Sequence, residues 1–423
     1  MNRFINKLFI VIAFHLSLTA GAQPIRLDEA VAATKRNEQQ RLVKMVNTNL
    51  ALPISEEAEL PWESAFWAME LMRYTPAGIG EKASAAFKYF SQAEYSFQRA
   101  FLEWLFALHP VKYNKQVQVL LNQTKEPRIF ALCCAYLSKS SKTFSSLFLL
   151  NTLKKKFTKV EIDNSPLLQY LSVLYSPKKE KLVNPEFIFS PGFLPNQPVL
   201  YSLQRPGRNV PGMLIIRRAN GSFVNLEDGK LFSVPQLARS LSSLPFYVSL
   251  GNTPQGIFLF TGFDISKSIA IGPTENLQLQ MPFETTPGKF LRDSTVTDTV
   301  WSFALYNRLL PAAFRQNGYS THPFYETYIA SAAGRDEIIA HGTTVNPEYY
   351  KNTSYHPFTP TVGCLCTKEF WNYQSGERTF SDQQLLVDVL KKEKISAGYL
   401  VVVETGKAGT PFTIEELRSI IPR

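Results

Sequence analysis

Residues 176–216 read SPKKEKLVNPEFIFSPGFLPNQPVLYSLQRPGRNVPGMLII, and the change of pattern across this stretch decides the fold. Seven prolines (177, 185, 191, 195, 198, 206 and 211) fall within 176–211. Proline lacks the amide donor that helix interiors and central strands need, so such a run interrupts regular structure. Residues 176–211 are read as a Pro-rich linker, although Phe187, Ile188, Phe189 and Phe193 inside it suit ordered extended packing equally well.

On the N-terminal side the apolar period is helical. Phe97, Phe101, Trp104, Leu105 and Leu108 fall on one helical face. Pro61 suits the first turn of a helix that runs to Tyr74 and carries Phe66, Met69 and Met72, and Pro127 opens another with Ile129, Phe130, Leu132 and Cys133. Residues 26–175 are therefore expected to form an all-α domain of stacked helical hairpins without a clean fixed period. The aromatic stripes are most simply core.

On the C-terminal side the period shortens. Met213–Ile216 is strand-like, and Asn220-Gly221 is a turn signal. Strands are expected at 246–249, 256–260, 277–281 and 337–340, with a short helix over Val234–Leu244. Ser381 with Gln384 three residues on reads as a capping box for a helix carrying Leu385, Leu386, Val389 and Leu390. Gly398–Glu404 (GYLVVVE) reads as a buried strand. The fold class is thus multidomain α and β, a helical-hairpin domain followed by a β-rich domain over 212–423.

Composition agrees with a folded chain. Of 423 residues, 45% are hydrophobic and 19% charged, with 31 Phe and 18 Tyr, which excludes disorder as the main state. Four cysteines in this length exclude a disulfide scaffold. Residues 1–22 read as a signal peptide: Arg3 and Lys7 precede the apolar run Leu8–Leu18, and Ala20-Gly21-Ala22 is a small-x-small cleavage site. The expected location is secreted or periplasmic. No later stretch is apolar enough to span a bilayer. The formal charge of +10 admits nucleic acid, anionic membrane or an anionic wall polymer as partner. The densest basic clusters, Lys154–Lys156 and Lys178-Lys179, are short and read as solvated faces. A chain exported from the cytoplasm meets wall rather than nucleic acid, so wall is the expected partner.

The chemistry concentrates in residues 337–366, EIIAHGTTVNPEYYKNTSYHPFTPTVGCLC. A strand delivers His341, followed by Gly342-Thr343; a polar, aromatic loop then leads to Thr361-Val362-Gly363-Cys364. A thiolate is a strong nucleophile, and an imidazole is suited to take its proton. Gly363 lets a substrate carbonyl approach the backbone, and the N–H groups of Cys364–Cys366 are candidates for an oxyanion hole. Three plainer readings stand beside this one. Cys364 and His341 fit a buried thiol and a satisfied ring; Cys364, Cys366, His341 and His356 offer zinc ligands at an unusual Cys-x-Cys spacing; and a Cys364–Cys366 disulfide would be strained. No cofactor or metal is expected.

The run His341-Gly342-Thr343 followed by Thr361-x-Gly363-Cys364 resembles the signature of the L,D-transpeptidases with a YkuD-type catalytic domain. That signature is a His-Gly pair, a spacer, then Ser/Thr-His-Gly-Cys, an apolar residue, and Arg or Asn. Asn252–Phe258 (NTPQGIF) resembles the family's Thr-Pro-x-Gly strand opening, and the helix at 383–392 with the strand Gly398–Glu404 resembles its close. The likeness covers about 200 residues. Val362 replaces the family's second His and Cys366 its Arg or Asn, so the chain resembles a divergent branch, and the grip on substrate carboxylates differs.

The resemblance implies a YkuD-like catalytic domain acting on peptidoglycan stem peptides. Cys364 would attack the carbonyl between a diamino acid and D-Ala, His341 would serve as base and then acid, and the Gly342 carbonyl would orient the imidazole. Thr361 and Gly363 would shape the substrate site, and Tyr349, Tyr350 and Tyr355 are candidates to line the cleft. The expectation is a cysteine L,D-transpeptidase or L,D-carboxypeptidase. A non-catalytic wall-associated scaffold, with the helical domain holding a protein partner, is the alternative of a different class; a cysteine peptidase acting on protein is disfavoured by the order and spacing of His and Cys.

Overall fold

A computed structural model describes residues 25–177 and 185–421. The stretch read as a signal peptide and Lys178-Lys179 lie outside the described residues.

Among the described residues, nine α-helices occupy the N-terminal part: α1 Ala32–Ala51, α2 Glu59–Met72, α3 Ile79–Tyr89, α4 Tyr95–Leu108, α5 Asn114–Gln123, α6 Pro127–Ser138, α7 Ser146–Lys156, α8 Lys159–Asp163 and α9 Pro166–Leu174. Their starts follow local chemistry. Pro127 occupies the first position of α6, where its missing N–H costs nothing, and the Glu126 side chain caps the Arg128 amide. Thr158 and Glu161 close α8 with a reciprocal capping box. The aromatic stripe of α4 is buried except for half-buried Leu108, and it meets its counterpart on α2. Phe66 stacks on Trp104 with centroids 5.2 Å apart, and Phe101 stacks on Trp104 at 5.8 Å. These rings are core.

The C-terminal part is built on a sheet of eight strands: β1 Val199–Gln204, β2 Gly212–Arg217, β3 Ser233–Gln236, β4 Gly256–Asp264, β5 Asn276–Gln280, β6 Ile339–His341, β7 Leu365–Cys366 and, last in the chain, Gly398–Glu404. The spatial order is β3-β2-β1-(398–404)-β4-β5-β6-β7. The strand Gly398–Glu404 is central, parallel to β1 and antiparallel to β4, and it is buried along its length up to half-buried Glu404. The two ends of the sheet meet. Leu237, directly after β3, exchanges both backbone hydrogen bonds with Cys366 of β7, each 2.8 Å long, and Ser240 bridges Thr361. The sheet therefore closes on itself at the strand that carries the cysteine pair.

Three expectations change. β1 lies inside the stretch read as a linker: a strand needs only that its prolines flank it, and Pro198 and Pro206 do so. Its neighbours Ile188, Phe189 and Phe193 are buried in the same core. Val234–Leu244 is not a helix. Its apolar residues recur every three or four positions, but Pro235 sits inside the run and the backbone finds partners in β2 and then in Cys366 and Thr361. Residues 246–249 form a turn rather than a strand, with Phe246 and Tyr247 each 5.3 Å from the ring of Tyr170 in α9. One hydrophobic cluster runs from the helices into the sheet.

Among the described residues no helix is long and apolar enough to cross a membrane. Because Phe101 is fully buried in the aromatic stack, Phe101→Ala is expected to lower the unfolding free energy by about 3–5 kcal/mol. Leu60→Ala, at a side chain 71% exposed, should change it by less than about 0.5 kcal/mol. Urea titration followed by circular dichroism measures both, and equal effects would contradict the core assignment.

Candidate functional site

Two short parallel strands build the site. In the β6–β7 register Ala340 faces Leu365 and His341 faces Cys366. Cys364 is the residue before β7, one step back along the strand and beside Ile339. The strand begins later than the sequence pattern indicates, because Glu337 adopts a left-handed backbone (φ 55°) that ends any extended run there.

The turn carrying Cys364 is held from several sides. The Thr361 hydroxyl donates to the Cys364 carbonyl at 2.8 Å and accepts from the Gly363 amide at 3.0 Å. The Gly363 carbonyl accepts from the Thr253 hydroxyl at 2.8 Å, so the Thr-Pro-x-Gly segment touches the cysteine turn directly. Gly363 has φ of 125°, and a Cβ there would lie 2.6 Å from Nη2 of Arg335 and 2.9 Å from the Gly251 carbonyl oxygen. Only glycine fits.

Cys364 is 8% exposed and forms the floor of an open groove of about 180 Å³ with Leu250, Arg335, Glu337 and Val362 along its walls. Its thiol lies 3.8 Å from the Glu337 carbonyl oxygen. Burial pushes the thiol up from its ordinary value, while the Ile339 amide and the Arg335 charge pull it down. Arg335 donates to the carbonyls of Phe246 (2.5 Å), Asn252 (2.8 Å) and Gly251 (3.0 Å). Burial lowers its pKa to about 10, so it stays charged at neutral pH.

His341 is 5% exposed, and its Nδ1–H donates to the carbonyl of Gly342. That bond leaves Nε2 as the basic nitrogen. Burial lowers the ring to about 4, so it is neutral at physiological pH. Among the described residues no hydrogen bond joins the ring to the Cys364 thiol. Gly342 is pinned by a buried carboxylate: a Cβ on it would lie 2.3 Å from the carboxyl carbon of Glu369. Glu369 in turn accepts from the hydroxyls of Thr274 (2.6 Å) and Ser381 (2.5 Å).

The structure thus brings Thr361, Gly363 and Cys364 together at the start of β7, and sets His341 and Gly342 at the far end of the neighbouring β6, where they do not line the Cys364 groove. It does not bring Tyr350 and Tyr355 to the groove. Both are buried in a small separate cluster with Leu237 and Phe358, and the Tyr350 hydroxyl donates to the Leu71 carbonyl of α2 at 2.9 Å. Tyr349 packs half-buried on the same cluster. Aromatic rings in a loop between two strands are recruited to cover the sheet before they are available to a cleft. The amide of Cys366 is bonded to Leu237, which removes it from an oxyanion hole; the Cys364 amide makes no hydrogen bond among the described residues. Cys366 is fully buried, its thiol pushed up to about 12 by burial, and both cysteines are free thiols. His356 is exposed, and among the described residues no group of three His, Cys, Asp or Glu side chains is arranged to hold a metal ion.

Arg335 and Glu369 are the site residues that sequence reasoning missed. Arg335 follows Gly334 (φ 87°), a helix-stop signal that marks a turn but says nothing of where the guanidinium goes. Glu369 has no local signal at all; its partners come from residues 274 and 381.

Compared with known proteins, the chain matches no family model, no curated protein and no solved structure.

Arg335→Gln is expected to raise the pH midpoint of Cys364 alkylation by iodoacetamide, because a positive charge that favours the thiolate is removed. Alkylation rates between pH 6 and 10, read by mass spectrometry, check this. An unchanged midpoint would separate Arg335 from the thiol.

Proposed function

We propose that the chain is an exported cysteine acyltransferase of the L,D-transpeptidase type, acting on peptidoglycan stem peptides. The observation that supports it most is Cys364 at the floor of an open groove beside the charged Arg335, on a Gly-Cys turn that adjoins the strand of an oriented, neutral His341. The sequence likeness to the YkuD-type signature supplies the substrate class.

In this reading the Cys364 sulfur attacks the carbonyl carbon that precedes D-Ala, and the thiol proton passes to Nε2 of His341. The amine of D-Ala takes that proton and leaves, and a thioester remains on Cys364. An amine of a second stem gives transpeptidation; water gives carboxypeptidation. The ring and the thiol must close on each other when substrate binds, as catalytic hydrogen bonds often do. The Cys364 amide is the donor available to the oxyanion. Arg335, in the groove wall, supplies a positive charge that Cys366 cannot.

A non-catalytic scaffold is the second reading. Two observations favour it: burial pushes the Cys364 thiol up, and no hydrogen bond links it to His341.

A β-lactam of the carbapenem type discriminates. The full chain should gain one adduct on Cys364, and Cys364→Ser should gain none; no adduct on the wild type favours the scaffold. His341→Gln should slow acylation by about 10²- to 10⁴-fold. The wild-type rate should fall as pH drops through about 4, where the lowered His341 becomes protonated and ceases to be a base. That acid limb should be absent in His341→Gln, and its persistence would remove His341 from the reaction.

A further inference from the structure

A second cavity, of about 250 Å³, opens beside the Cys364 groove. Helices α2 and α4 form one side of it. Leu250 and Val362 line both spaces, so the two are contiguous at the residue two positions before the cysteine. The helical part of the chain therefore walls the approach to Cys364.

The chemistry of this cavity differs from that of the groove. Trp67 and the aliphatic chains of Leu250 and Val362 give it apolar walls, and its inner end is acidic. Arg99 donates to both carboxylate oxygens of Glu103, each at 3.2 Å, which neutralises that pair. Glu70, one turn from Trp67 on α2, is 8% exposed, and among the described residues its side-chain carboxyl accepts no hydrogen bond. A buried carboxylate left without a partner is costly, and an arriving cation relieves that cost. Burial and then the neighbouring Glu103 push Glu70 well above the usual carboxylate range, against the pull of Arg99, so Glu70 holds its proton there and an arriving ammonium takes that proton's place. A metal ion does not suit the place: among the described residues no three ligating side chains are arranged to hold one there, and Arg99 repels a dication.

We propose that this cavity is a substrate subsite that takes an amine-bearing aliphatic side chain, its methylenes along Trp67, Leu250 and Val362 and its ammonium on the Glu70 carboxylate. The subsite deepens the acyltransferase reading and rests on it for the identity of the peptide: the helical part would select a stem whose diamino acid carries a free amine. A long chain with a charged end matches a space that is apolar along its sides and anionic at its end. Trp67, 45% exposed, offers its ring face to the ammonium as well.

The test uses the full chain carrying Cys364→Ala, so that binding is measured without turnover. Two probes are titrated by calorimetry, N-acetyl-lysine methylamide and its norleucine counterpart, which differ in the terminal amine. The lysine probe should bind about tenfold tighter or more, the worth of one charge-assisted hydrogen bond. Glu70→Gln, isosteric and uncharged, should abolish that preference. Trp67→Ala, at a half-exposed position that leaves the core intact, should weaken both probes. Equal affinity for the two probes, no binding of either, or an unchanged preference in Glu70→Gln would each overturn the subsite. The carbapenem adduct reports on the other reading separately. Lysine binding that depends on Glu70, without any adduct on Cys364, would keep the cation subsite and sink the acyltransferase; an adduct without a lysine preference would do the reverse.

Discussion

The pair of backbone hydrogen bonds between Leu237 and Cys366 is the constraint on which the rest of the site depends. It joins the two ends of the sheet, so β7 has a partner on each side, β6 on one and the continuation of β3 on the other. A two-residue strand at an open edge would have little to fix its register. Closed in this way, it fixes Cys366 in the interior and presents Cys364, one turn of the pleat earlier, at the groove. Buried Arg208 braces the same closure: it pairs with Glu404 at 2.8 Å and donates to the carbonyls of Ala238 and Thr253. The Thr253 hydroxyl then holds Gly363. Backbone closure and cysteine position are thus one problem with one solution.

The site's electrostatics follow from burial. Desolvation alone makes both Cys364 and His341 prefer their neutral forms. A neutral thiol and a neutral imidazole are the resting state that a general-base mechanism requires, in which the charge pair forms only as the proton moves. A preformed thiolate–imidazolium pair would need a more exposed or more strongly charged setting. Arg335 favours the anion without neutralising it, because its own N–H groups are engaged by three carbonyls. Glu369, held by Thr274 and Ser381, packs against Gly342, whose carbonyl accepts from the His341 ring.

How much of this was legible in the sequence depended on the range of the interactions. Helical stripes, the Pro127 start, the Ser381 cap and the GYLVVVE strand are local patterns, and each is found where its pattern lies. His341-Gly342 and Thr361-x-Gly363-Cys364 were legible because a turn, a strand end and a reactive side chain occur together within a few residues. The ordered strand hidden among prolines at 199–204, and the extended course of 234–244, were misread because each pairs with nearby β2 on one side only and needs a remote partner on the other: residues 399–404 for the first, residues 361 and 366 for the second. Arg335 was invisible for the same reason, since its three carbonyl partners lie more than eighty residues away. The tyrosines of the spacer show the opposite error. Their polarity and place near the motif pointed to a cleft, and packing against Leu237 and α2 claimed them instead.

The central claim is that Cys364 forms a thioester with a stem peptide and expels its terminal residue. The most direct measurement is mass analysis of purified stem-peptide fragments of peptidoglycan after incubation with the wild-type chain and with Cys364→Ala. The account predicts that the wild type releases D-Ala and yields shortened or cross-linked fragments, while Cys364→Ala leaves the fragments unchanged. Unaltered fragments with both proteins, or the same products from both, would contradict it.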